Sequence, residues 1–199
     1  MRWTLPVVAV AVLGSAFAME SYRPATTLAG RIAVTMSQAE HAARRDTERA
    51  APVWKNTSWL NAPGPVTLGS LKGRVVLLNF WVFTCSNCTN TLPSLRALDT
   101  RYRARGLSII GIHTPEFPPY AGEHDRTNVA KSLTKYRITW PIAQDNDRAS
   151  WDLYRIQYWP SFVLIDKQGR VRYEGYGEFH EGDRWHAEWD RRIATLLAE

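Results

Sequence analysis

The chain has 199 residues with a formal net charge of +6, and hydrophobic residues make up 45% of it. Lysine and arginine alternate with acidic residues, as in 99–105 and 188–192, which argues against a nucleic-acid partner and indicates ordinary solvated surface. The only cysteines are Cys85 and Cys88. Two cysteines supply only half of the about four ligands of a structural zinc site.

Residues 1–18 have the pattern of a secretory signal. Arg2 supplies a short charged region, Leu5–Leu13 is nearly continuous apolar sequence, and an A-x-A cleavage pattern ends at Ala18. The apolar stretch is shorter than the about 20 residues that cross a bilayer, so an uncleaved anchor is only the alternative. We therefore expect a periplasmic or secreted protein, associated with the membrane only if this segment is retained.

The remaining sequence predicts one domain. Residues 19–53 contain no convincing strand and are interpreted as a linker or arm. Residues 54–199 are enough for one globular domain with a sizeable core.

Strand and helix patterns alternate along this domain. Short apolar runs predict strands at 75–81, 107–113, 140–142, 162–166 and 171–176, the third of them a short edge-like segment. Helical spacing of apolar residues predicts helices at 85–105, 128–136 and 147–154, and a closing helix from 181. Helical crossovers imply parallel pairing and the late hairpin adds an antiparallel edge. The prediction is an α/β domain with a mixed central sheet and helices on both faces.

Two of the predicted helices carry further detail. Pro93 falls inside the first and should kink it, because proline lacks the N–H donor and clashes with the preceding turn. Gly106 should end the same helix. The closing helix places four apolar residues on one face, at Trp185, Trp189, Ile193 and Leu196.

The cysteines form one C-x-x-C directly after the apolar run 75–81. Two intervening residues let Cys85 and Cys88 close a small disulfide ring at a helix start and reopen it locally. So small a ring adds little stability, because it constrains the unfolded chain weakly. The pair therefore favours thiol redox chemistry, with an inert structural disulfide or two buried thiols as the alternatives.

Several motifs in order carry a family resemblance over about residues 54–198. A strand, the C-x-x-C, Pro93 five residues later and Pro160 at the start of a late hairpin together resemble the thioredoxin fold, with an insertion after the second strand of its core. Residues 77–88 resemble the extracytoplasmic TlpA and ResA type. Similarity to the thioredoxin-like domain of DipZ-type cytochrome c biogenesis proteins is carried by 81–85, 113–117, 145–147 and 158–160.

The resemblance implies a role for each site residue. Cys85 would be the nucleophilic thiol and Cys88 the resolving one. Pro160 matches the family's cis-proline beside the cysteines. The implied partner-binding residues also include Trp81, Thr84 and Trp159.

Two positions depart from cytoplasmic thioredoxin. Asn79 stands where those proteins have a buried aspartate, and an amide cannot take the proton of the second cysteine. The family pattern makes Glu116, in the insertion, the matching candidate for a general base. Thr84 replaces the tryptophan that commonly precedes the first cysteine.

The resemblance implies a thiol-disulfide oxidoreductase that needs no bound cofactor or metal. It would act on protein thiols and disulfides, in the reducing direction, for example before haem attachment in cytochrome c biogenesis. A membrane or periplasmic electron donor is then expected. The alternatives are a copper-binding protein that uses both cysteines and a histidine, a peroxidase of the P-x3-T-x2-C type, and a redox-inactive interaction module.

Overall fold

The computed structural model describes residues 49–116 and 122–199. The predicted signal at 1–18, residues 19–48 of the predicted arm and residues 117–121 of the predicted insertion lie outside the described residues. The strands are β1 (Trp59–Leu60), β2 (Val75–Trp81), β3 (Leu107–His113), β4 (Ile142–Gln144), β5 (Ser161–Ile165) and β6 (Val171–Tyr176). The α-helices are α1 (Ser86–Tyr102), α2 (Arg126–Tyr136), α3 (Ala149–Leu153) and α4 (Arg184–Ala198).

The six strands form one mixed sheet in the order β1-β4-β3-β2-β5-β6. Strand β2 pairs in parallel with β3, and β3 in parallel with β4. Strands β1, β5 and β6 join their neighbours antiparallel. The predicted mixed sheet of the thioredoxin fold is confirmed.

Alternation along β2 separates two apolar cores, because successive side chains of a strand point to opposite faces. Leu77 and Trp81 pack on the face that contacts α1, α2 and α4. Leu78 and Phe80 pack on the other face, against α3 and the segment before β2. The sheet therefore has helices on both faces and holds the carboxyl end of β2 rigidly between two cores.

The strand at 75–81 and that at 107–113 match the predicted bounds. The first helix continues through Pro93, and Gly106 follows it in a left-handed conformation with φ of 110°. The prediction of an edge-like segment at 140–142 was wrong in two respects. The strand, β4, covers Ile142–Gln144, and it does not lie at the edge of the sheet. Strand β4 is interior instead, because β1 pairs along its outer side.

The closing helix has a narrower buried face than predicted. Trp189, Ile193 and Leu196 are buried, but Trp185 is 46% exposed. Trp185 lies in the first turn of α4, where the guanidinium of Arg184 lies over its ring, 4.6 Å from the centroid. Trp185 therefore lies on the predicted face of the helix but is not buried with the other three.

The described chain reaches the sheet before residue 54. Ala50 forms a bridge with Arg170, and the Ala51 N–H donates to the Gly169 carbonyl at 2.8 Å. In the described ranges, no helix is both long and apolar enough to cross a membrane.

Candidate active site

The predicted site residues come together because several strands end at one edge of the sheet. Trp81 at the end of β2 pairs with His113 at the end of β3, and His113 with Gln144 at the end of β4. Strand β5 runs the opposite way, so Trp159 and Pro160 enter it at the same edge, next to the end of β2. In open α/β sheets this carboxyl edge is where ligands bind.

Cys85 is the N-cap residue of α1. Its backbone is extended, with φ of −76° and ψ of 114°, and its carbonyl accepts from the Thr89 N–H at 3.1 Å. Its Sγ accepts a hydrogen bond from the Cys88 N–H at 3.2 Å. Unpaired N–H groups and the positive end of the helix dipole stabilise a negative charge at this position.

The two sulfurs differ strongly in proton affinity. Cys85 is half-buried and Cys88 is 2% exposed, and both are free thiols. The hydrogen bond from the Cys88 side chain lowers the pKa of Cys85 to about 7, against the opposing effects of burial and of the Glu116 charge. Burial raises the pKa of Cys88 far above that of an ordinary thiol. Of the two thiols, Cys85 is therefore the one that ionises more readily, and the thiolate is the reactive form of a cysteine.

This difference predicts the pH dependence of alkylation. Because the thiolate is the reactive form, the rate of Cys85 modification by iodoacetamide should rise with pH and reach half its maximum near pH 7, about 1.5 units below a free cysteine. Mass spectrometry of the reduced protein would follow the reaction. Cys88 should stay unmodified throughout. A midpoint at the value of free cysteine would contradict the prediction.

Hydrogen bonds hold the two residues that follow β3, Thr114 and Pro115, in place. The Thr114 hydroxyl donates to Asp145 Oδ2 at 3.0 Å, and the Trp159 indole N–H donates to the Thr114 carbonyl at 3.1 Å. The Pro115 carbonyl accepts from Arg148 Nη1 at 3.3 Å. These contacts hold the segment that carries Glu116 against the residues beside Pro160.

Glu116 lies close enough to the cysteines for its charge to act on both. It is part-buried, and its charge is among the causes that raise the pKa of Cys85 and of Cys88. Its backbone N–H donates to Glu123 Oε2 at 2.7 Å. The general-base role of Glu116 stays a prediction.

Glu123 is the site residue that sequence reasoning missed. It is only 2% exposed, and its other carboxylate oxygen accepts from the Thr84 hydroxyl. The signal available in the sequence was one acidic residue near the end of the insertion, which is too weak to choose it among 19 acidic residues.

Trp159 and Pro160 border the site as predicted, and the peptide bond between them is cis. The Trp159 ring stacks on Trp151 at 4.0 Å between centroids, and the Arg148 guanidinium lies 5.4 Å from it. Among the described residues, none hydrogen-bonds to the Trp159 backbone N–H or carbonyl.

Two residues predicted near the site are buried beneath it. Trp81 has no exposed surface, so its predicted contact with a partner was wrong. Its ring packs edge-on against His113 at 5.3 Å and contacts the position of Gly111, whose missing side chain makes room for it.

Asn79 is 2% exposed, and its Oδ1 has no hydrogen-bond partner among the described residues. An amide here does not titrate, which leaves the proton of Cys88 to another group.

His113 supplies no ligand or base at the surface. It is fully buried and stacks on Phe83 at 5.4 Å, and burial lowers its pKa to about 3. Over 49–116 and 122–199, no three His, Cys, Asp or Glu side chains cluster in a way that could hold a metal ion.

Comparison with known proteins agrees with this geometry. Residues 48–174 match the AhpC/TSA family. Protein DipZ of Mycobacterium bovis is 44% identical over 140 residues, which are 69% of this chain and 20% of DipZ. Thiol-disulfide oxidoreductase ResA of Bacillus thuringiensis is 30% identical over 115 residues, 57% of this chain and 61% of ResA.

The fold also has a solved counterpart in a thiol:disulfide interchange protein from Chlorobium tepidum. That structure covers 75% of this chain and 97% of its own, with a TM-score of 0.58 and 22% identity. The chain spans about a fifth of the length of DipZ. The family match covers more than half of the chain, and the chain therefore belongs to the AhpC/TSA family.

Proposed function

We propose that the chain exchanges disulfides with protein partners outside the cytoplasm and works in the reducing direction. The observation that carries this proposal is the difference between the cysteines. An accessible thiol at a helix N-terminus with its pKa lowered to about 7 lies one turn from a buried thiol with a raised pKa.

The exchange proceeds in two steps. The Cys85 thiolate attacks one sulfur of the partner's disulfide, which forms a mixed disulfide and releases the partner's other sulfur as a thiolate. Cys88 then loses its proton and attacks Cys85 Sγ, so that the second partner sulfur leaves. The partner gains two electrons and two protons, and Cys85 and Cys88 become a disulfide. A dithiol electron donor restores the pair.

Glu116 is the group proposed to take the proton of Cys88. Its charge acts on both thiols, and the neighbouring Asn79 amide cannot accept a proton. A general base must be able to reach the proton it removes, and Glu116 is anchored at the same edge as the cysteines.

The partner backbone is proposed to bind beside Trp159. The main-chain groups of Trp159 are open to an extended strand, and main-chain pairing accepts many sequences. Thr84 and Trp159 border the position where the partner's cysteine would meet Cys85. Thr84 is exposed and Trp159 is part-buried, so both offer surface to a partner.

The location is proposed from residues 1–18, with 19–53 as the arm that connects them to the domain. Disulfides persist outside the cytoplasm, where exchange enzymes find substrates. Cytochrome c maturation is the proposed setting, because the motifs at 81–85, 113–117, 145–147 and 158–160 resemble those of DipZ-type cytochrome c biogenesis proteins. Retention of the expressed full chain in the cytoplasmic fraction would contradict the location.

The redox potential tests the direction. We expect a value near that of thioredoxin, about −270 mV, because the proposed role is to donate electrons to partner disulfides. Equilibration with glutathione buffers, followed by alkylation of the remaining thiols, measures it. A value near about −120 mV, typical of a strong oxidant, would overturn the reducing direction while leaving disulfide exchange intact.

A further inference from the structure

We propose that Glu123 is a positioning residue for the thiol pair, which fixes Glu116 and the residue preceding Cys85 relative to each other. This inference rests on the proposed disulfide exchange and names a residue through which that site is held.

The geometry that supports it is a bridge across the edge of the sheet. One carboxylate oxygen of Glu123 accepts from the Thr84 hydroxyl, and Thr84 directly precedes Cys85. The other oxygen accepts from the Glu116 N–H at 2.7 Å. Glu123 itself lies at the turn before α2, 39 residues from Thr84. The carboxylate thus joins the C-x-x-C loop, the segment after β3 and the start of α2.

The burial of Glu123 calls for an explanation. It is 2% exposed, and among residues 49–116 and 122–199 no lysine, arginine or histidine forms an ion pair with it. Its carboxylate is held by two neutral donors, the Thr84 hydroxyl and the Glu116 N–H. A buried carboxylate that is hydrogen-bonded only by neutral groups lowers the stability of the fold, because its charge loses contact with water. An apolar side chain at the same position would not carry this cost. A role in setting the geometry around the reactive thiols would explain why a destabilising carboxylate is found at this position.

The position of Glu116 matters because its charge reaches both thiols. It opposes ionisation of Cys85 and of Cys88, so its distance from them sets part of their reactivity. Two other charged residues bind the same segment: Arg148 donates to the Pro115 carbonyl, and Asp145 accepts from the Thr114 hydroxyl. If the bridge is lost, the Glu116 carboxylate moves toward solvent and its effect on the thiols weakens.

The test compares Glu123→Leu with Glu123→Gln. The glutamine carbonyl can still accept from the Glu116 N–H and its amide can donate to the Thr84 hydroxyl, so Glu123→Gln keeps the bridge. Leucine cannot form either bond. We expect Glu123→Leu to lower the pKa of Cys85, read from the pH profile of iodoacetamide alkylation, by about half a unit, as does Glu116→Gln. Glu123→Gln should keep the wild-type profile.

Three further measurements make the inference falsifiable. Glu116→Gln combined with Glu123→Leu should shift the profile no further than either alone, since both act through one carboxylate. Glu181→Gln, at an exposed carboxylate of the same charge, is the control and should behave as wild type. If Glu123→Leu does not fold, Glu123→Asp serves, because its shorter side chain cannot reach both donors and should shift the profile in the same direction.

The outcomes separate this inference from the proposed function. A Glu123→Leu protein with a lower melting temperature but the wild-type profile would show a purely structural residue and overturn the inference, as would additive shifts in the double variant. Alkylation needs no partner protein. Failure of the wild-type protein to reduce insulin with dithiothreitol as donor would contradict disulfide exchange and leave the alkylation result standing.

Discussion

Replacement of Cys85 by serine should reduce insulin-disulfide reduction by at least about 1000-fold, because the alcohol is not ionised at neutral pH and cannot attack a disulfide. Serine is itself a favoured N-cap residue, so Cys85→Ser retains the start of α1 and the loss cannot be attributed to unfolding. The assay is the rate of insulin precipitation with dithiothreitol as donor. Circular dichroism checks that the variant is folded.

Cys88→Ser separates the two steps of the exchange. It retains the attack by Cys85 but lacks the resolving thiol, so the mixed disulfide with the partner should accumulate and be visible by non-reducing electrophoresis. Asn90→Ser, on an exposed position of α1, is the control and should retain the wild-type rate. If the wild-type protein and Cys85→Ser both reduce insulin no faster than dithiothreitol alone, the redox-inactive module is supported instead.

The largest expected effect on stability is that of Trp189→Ala. Trp189 is 6% exposed and packs edge-on against Phe162 at 5.6 Å, where it fixes α4 to the sheet. Removing the indole leaves a cavity and should cost about 3–5 kcal/mol of unfolding free energy. That is a large part of the about 5–15 kcal/mol typical of a domain. Urea denaturation followed by circular dichroism measures the loss.

Trp185→Ala is the matched control, because it removes the same side chain one turn earlier in the same helix. Trp185 is 46% exposed and contacts chiefly the Arg184 guanidinium, so its loss should cost less than about 1 kcal/mol. Equal losses for the two variants would mean that α4 packs through a different face. The two variants together test whether Trp189, and not Trp185, fixes α4 to the sheet.

The helical pattern alone could not distinguish these two tryptophans. Periodicity reports which residues share one face of a helix, and Trp185 does share a face with Trp189. It does not report which residues of that face are buried in the folded protein. The same limit applies to residues 140–142, because the pattern predicts a strand but not that Trp59–Leu60 will pair outside it.

The site shows the same division between local and long-range information. Cys85, Cys88 and Pro160 could be chosen from the sequence, because a C-x-x-C after an apolar strand and a proline before a hairpin are local patterns with known roles. Trp81 was assigned to partner binding through the family resemblance, whereas alternation along β2 turns its side chain into the core. Glu123 could not be chosen, since its partners lie 7 and 39 residues away.

The sequence by itself thus determined β2, β3, β5, β6 and the helices of the domain, the family resemblance and the C-x-x-C pair. These follow from side-chain periodicity and short motifs, which act over a few residues. Only the tertiary structure decided which residues surround that pair. The Glu116 charge, the Glu123 bridge and the open Trp159 backbone depend on how strand ends meet at one edge of the sheet, and no local pattern encodes those distances.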